Sequence, residues 1–497
     1  MDIIEALAGV PLQAGLTPSL AQTQLLGLDY DSRRIQPGFL FFAFPGARVD
    51  GRAFAKQAFE KGAAAIVSES PAPEDISAPW IQVPHGRQAL ALASRNFYGK
   101  LDEKIPIVGI TGTNGKTTTS YLVDSILRTA GMTTMLAGTI EYHLGSKILP
   151  AANTTPESLD LQQMFAEIRD GGGTHAVLEA SSHALAMERL WGIHFAVAIF
   201  TNLTRDHLDY HKTFEEYFAA KRLLFGGTGA GAPGVAVLNA DDPSAAQLTG
   251  LAHRTMTYGL KGAPDLIAKK VALSFQGLEF TAHTPAGNIQ VRSPFVGRIN
   301  AYNILAAIGA AIGLNVPVAK IEEGISNLEL VPGRFQRIDE GQPFLVVVDY
   351  AHTDDALRNL ISTARELGPS ARIITVFGAG GERDRAKRPL MGEAAGSLSD
   401  LVVLTSDNPR SEDPLRIIND VVVGLQKANA KYRVEPDREQ ALAIALEEAQ
   451  AGDIVLLAGK GHETYQVLRD KTIDFDDREK ARAILRRKSF ARKVPKR

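Results

Sequence analysis

The chain has no cysteine among its 497 residues. Disulfides, thiolate metal centres and cysteine nucleophiles are therefore excluded. Charge of one sign is also missing: the formal net charge is -2, so no global field favours an anionic membrane, and no nucleic-acid partner is expected. Long apolar runs are absent. The longest, Ala301 to Leu314, is too short to span a bilayer and reads as a buried helix. The opening MDIIEALAGV lacks the basic segment and cleavage site of a secretory signal. A soluble, cytoplasmic monomer with no membrane insertion is the expectation. No internal repeat or low-complexity segment stands out, and the basic end, Arg486 to Arg497, reads as a solvated tail.

What is present is ordinary globular composition, 45% hydrophobic and 22% charged, in a chain too long for one core. Residues 1–102 contain a strand pattern at Gly38–Phe44, a helical stretch at Phe54–Lys61 and a second strand at Ala64–Ser68, which suggests a small α/β unit. Residues 103–333 open on Lys104–Thr111 and continue with strands at His175–Glu179, His194–Asn202 and Val235–Asn239. The turn-forming Val331-Pro-Gly-Arg-Phe335 punctuates the chain. Residues 334–497 then carry strands at Phe344–Val348, Arg372–Phe377, Leu401–Thr405 and Asp453–Ala458. Apolar strands alternating with helical patterns predict α/β domains built on parallel sheets with helices on both faces. Glu179, Asn202, Asp241, Asp349, Gly378, Asp407 and Gly459 all fall at or just past strand carboxyl ends, where such sheets bind ligands.

The segment Thr111-Gly-Thr-Asn-Gly-Lys-Thr117, between a strand and a helical run, has the order of a phosphate-binding loop. Gly112 and Gly115 free the backbone amides of Thr113, Asn114 and Thr118 to turn towards phosphates. Lys116 neutralises the outer phosphates, and the Thr117 hydroxyl can ligate magnesium. ATP is the expected ligand. The fit to the general pattern is imperfect, because Ile110 stands at its first glycine position.

This loop variant resembles that of the Mur ligases and their folylpolyglutamate synthase relatives, and the likeness extends over the whole chain. It implies a small uridine-nucleotide-binding N-terminal domain, a central ATP-binding domain with a phosphate-loop-type sheet, and a Rossmann-like C-terminal domain that binds an amino acid. Asp31-Ser-Arg is similar to the uridine end of the family's substrate site, through Ser32. Asn153-Thr-Thr-Pro156, Glu179-Ala-Ser-Ser-His183 and Arg189 resemble the central motifs, so Asn153, Thr154, Thr155, Ser181 and Arg189 are implied to hold a UDP-linked muramoyl dipeptide. The resemblance further implies two magnesium ions held by Thr117, Glu179, His207 and Lys221, the last as an N-carbamate formed from carbon dioxide. Taken alone, His207 reads as a structural histidine and Lys221 as a helix-surface lysine. Asn303, Arg334 and Asp349 resemble residues that grip ATP between domains. Asp354 stands where the family usually has proline.

Asp407-Asn-Pro-Arg410 resembles the motif of members that add meso-diaminopimelate, UDP-N-acetylmuramoyl-L-alanyl-D-glutamate being the other substrate. Alone it is an ordinary Asx-Pro turn. Diaminopimelate carries a distal carboxylate that lysine lacks, and an arginine is its natural partner. With Asp407, Asn408, Pro409 and Arg410, the resemblance assigns Arg383, Gly459 and Glu463 to that pocket. A lysine-adding ligase and a catalytically silent nucleotide-binding scaffold remain as alternatives.

Overall fold

A computed structural model describes residues 1–46 and 49–488. Most of the expected basic tail, 489–497, lies outside the described residues.

Among the described residues three large sheets follow one another along the chain, and a two-stranded antiparallel pair, Tyr465–Val467 with Thr472–Asp474, lies near its end. In the first, Gly27–Asp29, Phe39–Ala43, Ala65–Ser68 and Trp80–Gln82 pair in chain order, all parallel. The second has eleven strands. At its centre Ile107–Thr111 lies between His175–Glu179 and Val197–Phe200, parallel to both. Every residue of Ile107–Thr111 is buried, as a strand covered on both faces must be. Successive side chains serve opposite faces: Val108 and Ile110 join a core with the helices Lys116–Thr129 and Arg298–Gly313, while Ile107 joins Leu161 and Phe165 of helix Ser158–Asp170. The expected buried helix at Ala301 to Leu314 is thus the inner layer of the first of these cores.

The third sheet runs in the order Gln336–Ile338, Leu345–Asp349, Ile454–Ala458, Ile373–Phe377, Leu401–Leu404, Tyr432–Val434, parallel except for its first strand. Its faces are sorted in the same way, with Val347, Phe377 and Leu404 to one side and Val346, Val348 and Val376 to the other.

Parallel pairing as expected describes the inner strands but not the flanks. Leu266–Ser274, Gly277–Thr284 and Gly287–Ser293 form an antiparallel wing, and Glu141–Leu144 and Lys147–Pro150 form another beside Thr134–Ala137. Two-residue connections such as Phe275-Gln276 and Pro285-Ala286 leave no room for a crossover, so these strands can only turn back as hairpins. Among the described residues no helix is long and apolar enough to cross a membrane.

Candidate active site

The phosphate loop begins where strand Ile107–Thr111 ends and helix Lys116–Thr129 is about to start. Gly112 has φ +146°, and a Cβ there would sit 1.9 Å from Thr201 Oγ1; one on Gly115, at φ +87°, would sit 2.4 Å from Asn303 Oδ1. Only glycine fits such close approaches. The neighbouring strand end clamps the loop. Thr113 N donates to Asn202 O and Asn114 N to Asn202 Oδ1, both at 2.9 Å, and Thr201 Oγ1 donates to Asn114 O at 2.6 Å. Lys116 Nζ folds back to Gly112 O and Thr113 O, each at 2.9 Å. Its enclosure lowers the ammonium pKa, an effect Glu179 opposes.

A cavity of about 250 Å³ opens over this loop, lined by residues 113–118 with Glu179, His207, Asn303, Arg334 and Asp349. Arg334 reaches across from the start of the third sheet: Nη2 donates to Thr117 Oγ1 at 3.1 Å and the guanidinium lies 4.6 Å over the Tyr350 ring. Its buried Nε has no hydrogen-bond partner among the described residues, a donor left over at the cavity wall. Asp349 accepts from Phe335 N at 2.7 Å and from Ala351 N at 2.8 Å. Enclosure pushes its carboxyl up, against the pull of Arg334. Asp354 is the first residue of helix Asp354–Leu367, capped by Thr353. Proline is favoured at that first position, but an acidic residue also suits a helix amino terminus, so the helix starts without it. Asp355, not foreseen, ties the third unit to the loop by accepting from Asn114 Nδ2 at 2.7 Å.

Glu179 ends its strand with both oxygens occupied: Oε1 accepts from Thr139 N at 2.8 Å, and Oε2 from Thr117 Oγ1 at 3.1 Å and Thr139 Oγ1 at 2.9 Å. Lys221 is buried beneath the loop, its Nζ donating to Gly112 O at 2.7 Å and lying 4.4 Å from the Tyr217 ring centre. Burial, and then Lys116, drive its pKa well below the usual lysine range, with Asp206 opposing. His207, in left-handed backbone at φ 55°, brings Nε2 within 3.3 Å of Asp206 Oδ2. Burial lowers the pKa of this imidazole, and the adjacent Asp206 opposes the shift. No three His, Asp or Glu side chains converge as a metal site among the described residues. Magnesium prefers oxygen donors, which the Thr117 and Glu179 pair provides, and a lysine whose amine is neutral is the form that takes up carbon dioxide. The donor set fits.

Beside the cavity, Thr155 Oγ1 donates to Glu179 O at 2.6 Å, Ser181 caps helix Ser182–Ala186, and Arg189 Nη1 donates to Thr155 O at 2.9 Å. Thr154 Oγ1 lies 3.3 Å from Thr139 Oγ1, and Asn153 N donates to the Tyr142 hydroxyl at 3.0 Å. Glu157, also unforeseen, pairs with Arg189 at 3.4 Å and with Arg87 of the first unit at 2.8 Å. Ser32 stands apart from the cavity lining, buried in the first unit and bonded to Gln57 Oε1 at 2.8 Å.

The third-unit residues form a separate cluster. Asp407 and Asn408 are buried after strand Leu401–Leu404, and the Pro409 carbonyl turns against Gly381. Arg410 has φ 55° and donates from Nη1 to Gly381 O at 2.6 Å. Among the described residues no carboxylate is within ion-pair reach of it, and burial and the nearby Arg383 lower its pKa. Arg383 itself is exposed. Gly459 faces Asp407, and Glu463 Oε2 accepts from Asn408 Nδ2 at 2.9 Å. Tyr350 bridges the two clusters, its ring 5.0 Å from His462 on one side and under Arg334 on the other.

Three family patterns match in chain order: Mur ligase family catalytic domain over 25–98, Mur ligase middle domain over 110–311, and the glutamate ligase domain over 333–461. The UDP-N-acetylmuramoyl-L-alanyl-D-glutamate–2,6-diaminopimelate ligase of Solibacter usitatus is 57% identical over 98% of both chains. The chain belongs to the Mur ligase family. The ligase of the same name from Geobacillus thermodenitrificans is 44% identical over 97% of this chain and 98% of its own. A solved Mur ligase structure of that name superposes with a TM-score of 0.68 at 33% identity, covering 98% of this chain and 99% of the other. At the level of fold alone, so does the MurF ligase from Thermotoga maritima in complex with ADP, with a TM-score of 0.62 at 20% identity over 94% and 99%.

Proposed function

We infer that the chain is an ATP-dependent ligase that adds meso-diaminopimelate to UDP-N-acetylmuramoyl-L-alanyl-D-glutamate in peptidoglycan precursor synthesis. The observation that carries this reading is the pairing of two clusters: a phosphate loop backed by Glu179 and Lys221, and beyond Tyr350 a half-buried Arg410 that has no carboxylate within ion-pair reach among the described residues.

In the reaction, a γ-carboxylate oxygen of the D-glutamyl residue attacks the γ-phosphorus of ATP, the bond to ADP breaks, and an acyl phosphate forms. The neutral amine of diaminopimelate then attacks the acyl carbon. The tetrahedral adduct loses a proton and expels phosphate, leaving the amide. Magnesium, when bound, offsets charge on the transferring phosphoryl group. Lys116 and the amides of residues 115–118 cradle the phosphates, Asn303 and Asp349 hold the nucleotide, and Arg334 spans the two units over Thr117. Thr117, Glu179 and the carbamate of Lys221 would supply hard oxygens to the metal, and His207 would be a further donor. The N-carbamate arises when the neutral Lys221 amine adds to carbon dioxide and gives up a proton, exchanging a buried amine for an anion. Ser32, Asn153, Thr154, Thr155, Ser181 and Arg189 hold the UDP-linked substrate. Arg383 and Arg410 take the distal carboxylate of diaminopimelate, and Glu463 takes its ammonium.

Substrate labelled with ¹⁸O in the γ-carboxylate tests the acyl-phosphate route. One labelled oxygen is expected in the released phosphate; unlabelled phosphate overturns the route.

A further inference from the structure

The segment Gly459-Lys-Gly-His-Glu463 holds a second charged side chain besides Glu463. Lys460 is fully buried, and a buried ammonium is costly unless each of its three donors finds an acceptor. Here each does. Nζ donates to Tyr465 O at 2.7 Å, to Asn408 Oδ1 at 3.1 Å and to Glu463 Oε2 at 3.3 Å, and Asp407 Oδ1 lies 3.8 Å away. No donor is left for a ligand.

Those bonds decide how Asn408 and Glu463 face. Asn408 Oδ1 accepts from both Lys460 Nζ and Val467 N, the latter at 2.9 Å. Two donors on one atom fix the amide orientation and point Nδ2 at Glu463 Oε2, 2.9 Å away. Glu463 Oε2 is therefore held twice, whereas no hydrogen bond reaches Oε1 among the described residues. Asp407 and Glu463 repel each other across this site, and Lys460 is the cation between them.

We propose that Lys460 is a positioning residue for recognition of the incoming amino acid's distal ammonium: it locks Asn408 and Glu463 into one unit and leaves Glu463 Oε1 turned out for a cation. The inference rests on the amino-acid pocket assigned above and deepens it. Lys460 acts through Glu463 and touches no ligand.

The test compares two amino acids on the full-length Lys460→Met variant. One is meso-diaminopimelate; the other is L-2-aminopimelate, which keeps the distal carboxylate and lacks the distal ammonium. Affinity is read as KM, or as Ki where turnover is slow. Diaminopimelate is expected to weaken by roughly tenfold or more, carried by KM, as for loss of a charge-assisted hydrogen bond, while L-2-aminopimelate changes by less than about threefold. Equal weakening of both, the mark of a merely structural residue, overturns the proposal, and so does no change in either. If Lys460→Met does not fold, Lys460→Gln, which keeps donors and removes the charge, is read by the same criteria. Glu463→Gln is run alongside. If it separates the two amino acids and the Lys460 variant does not, this inference fails and the pocket stands; if Glu463→Gln does not separate them either, the pocket assignment itself fails.

Discussion

Lys116 and Lys221 donate to the same acceptor, the carbonyl oxygen of Gly112, at 2.9 and 2.7 Å. Two ammonium groups crowded onto one carbonyl repel each other, and the more deeply buried Lys221 has no carboxylate within ion-pair reach among the described residues. Losing its proton relieves both burdens, and the neutral amine is the reactive form for carbamate formation.

The first prediction follows from that sign. A lysine with an ordinary pKa near 10.4 is almost wholly protonated at pH 7.5, but a depressed pKa leaves the amine neutral down to lower pH. With ¹³C-labelled bicarbonate, a carbamate carbon resonance that depends on Lys221 is expected already at about neutral pH. A resonance that emerges only in the alkaline range contradicts the assignment. Lys221→Ala is expected to lose activity and to regain part of it with added short-chain carboxylates.

Among the described residues the Lys116 ammonium donates only to loop carbonyls, so removing it leaves few packing contacts unmade. Lys116→Ala is expected to keep a wild-type melting curve and to lose turnover by about 10³-fold or more, the scale of a lost charge-stabilising donor at a transferring phosphoryl group. Ligation at the normal rate by this variant contradicts the role given to the loop.

Arg438 and Asp477 form an ion pair with both side chains fully buried at 2.6 Å, and Arg438 also donates to Ser406 O and Ala458 O, the carbonyls just before Asp407 and Gly459. Breaking a buried pair by removing one charge costs about 3–5 kcal/mol. Asp477→Asn is expected to destabilise the C-terminal domain on that scale in chemical denaturation and to weaken diaminopimelate binding more than ATP binding. Stability unchanged to within about 0.5 kcal/mol would contradict the pair's structural role.

Much of this was legible before the fold was known. The switch from Ile107–Thr111 to the helix at Lys116, with glycines between, marked the phosphate loop, and the strand-end positions of Glu179 and Asp349 followed from apolar runs that stop at a carboxylate. Lys221 is where local pattern misleads. Its helical spacing resembles that of any exposed lysine, and only the packing of Tyr217 and the loop carbonyl above it reveals a buried amine. Lys460 and Asp355 are hidden for a related reason: each has a partner, Asn408 and Asn114, that lies 52 and 241 residues away in sequence, beyond what periodicity reports. The antiparallel wings were missed because strand patterns alone do not tell a hairpin from a crossover until the two-residue connections are counted.

The central claim is that the half-buried Arg410, which pairs with no carboxylate among the described residues, selects the amino acid. Its most direct test is product mass and phosphate release with ATP, magnesium and UDP-N-acetylmuramoyl-L-alanyl-D-glutamate, offering meso-diaminopimelate and L-lysine in parallel to wild type. Sites built to pair with a substrate group reject the analogue that lacks it by about 10⁴-fold, so product is predicted with diaminopimelate and next to none with lysine; comparable product with lysine would contradict the account.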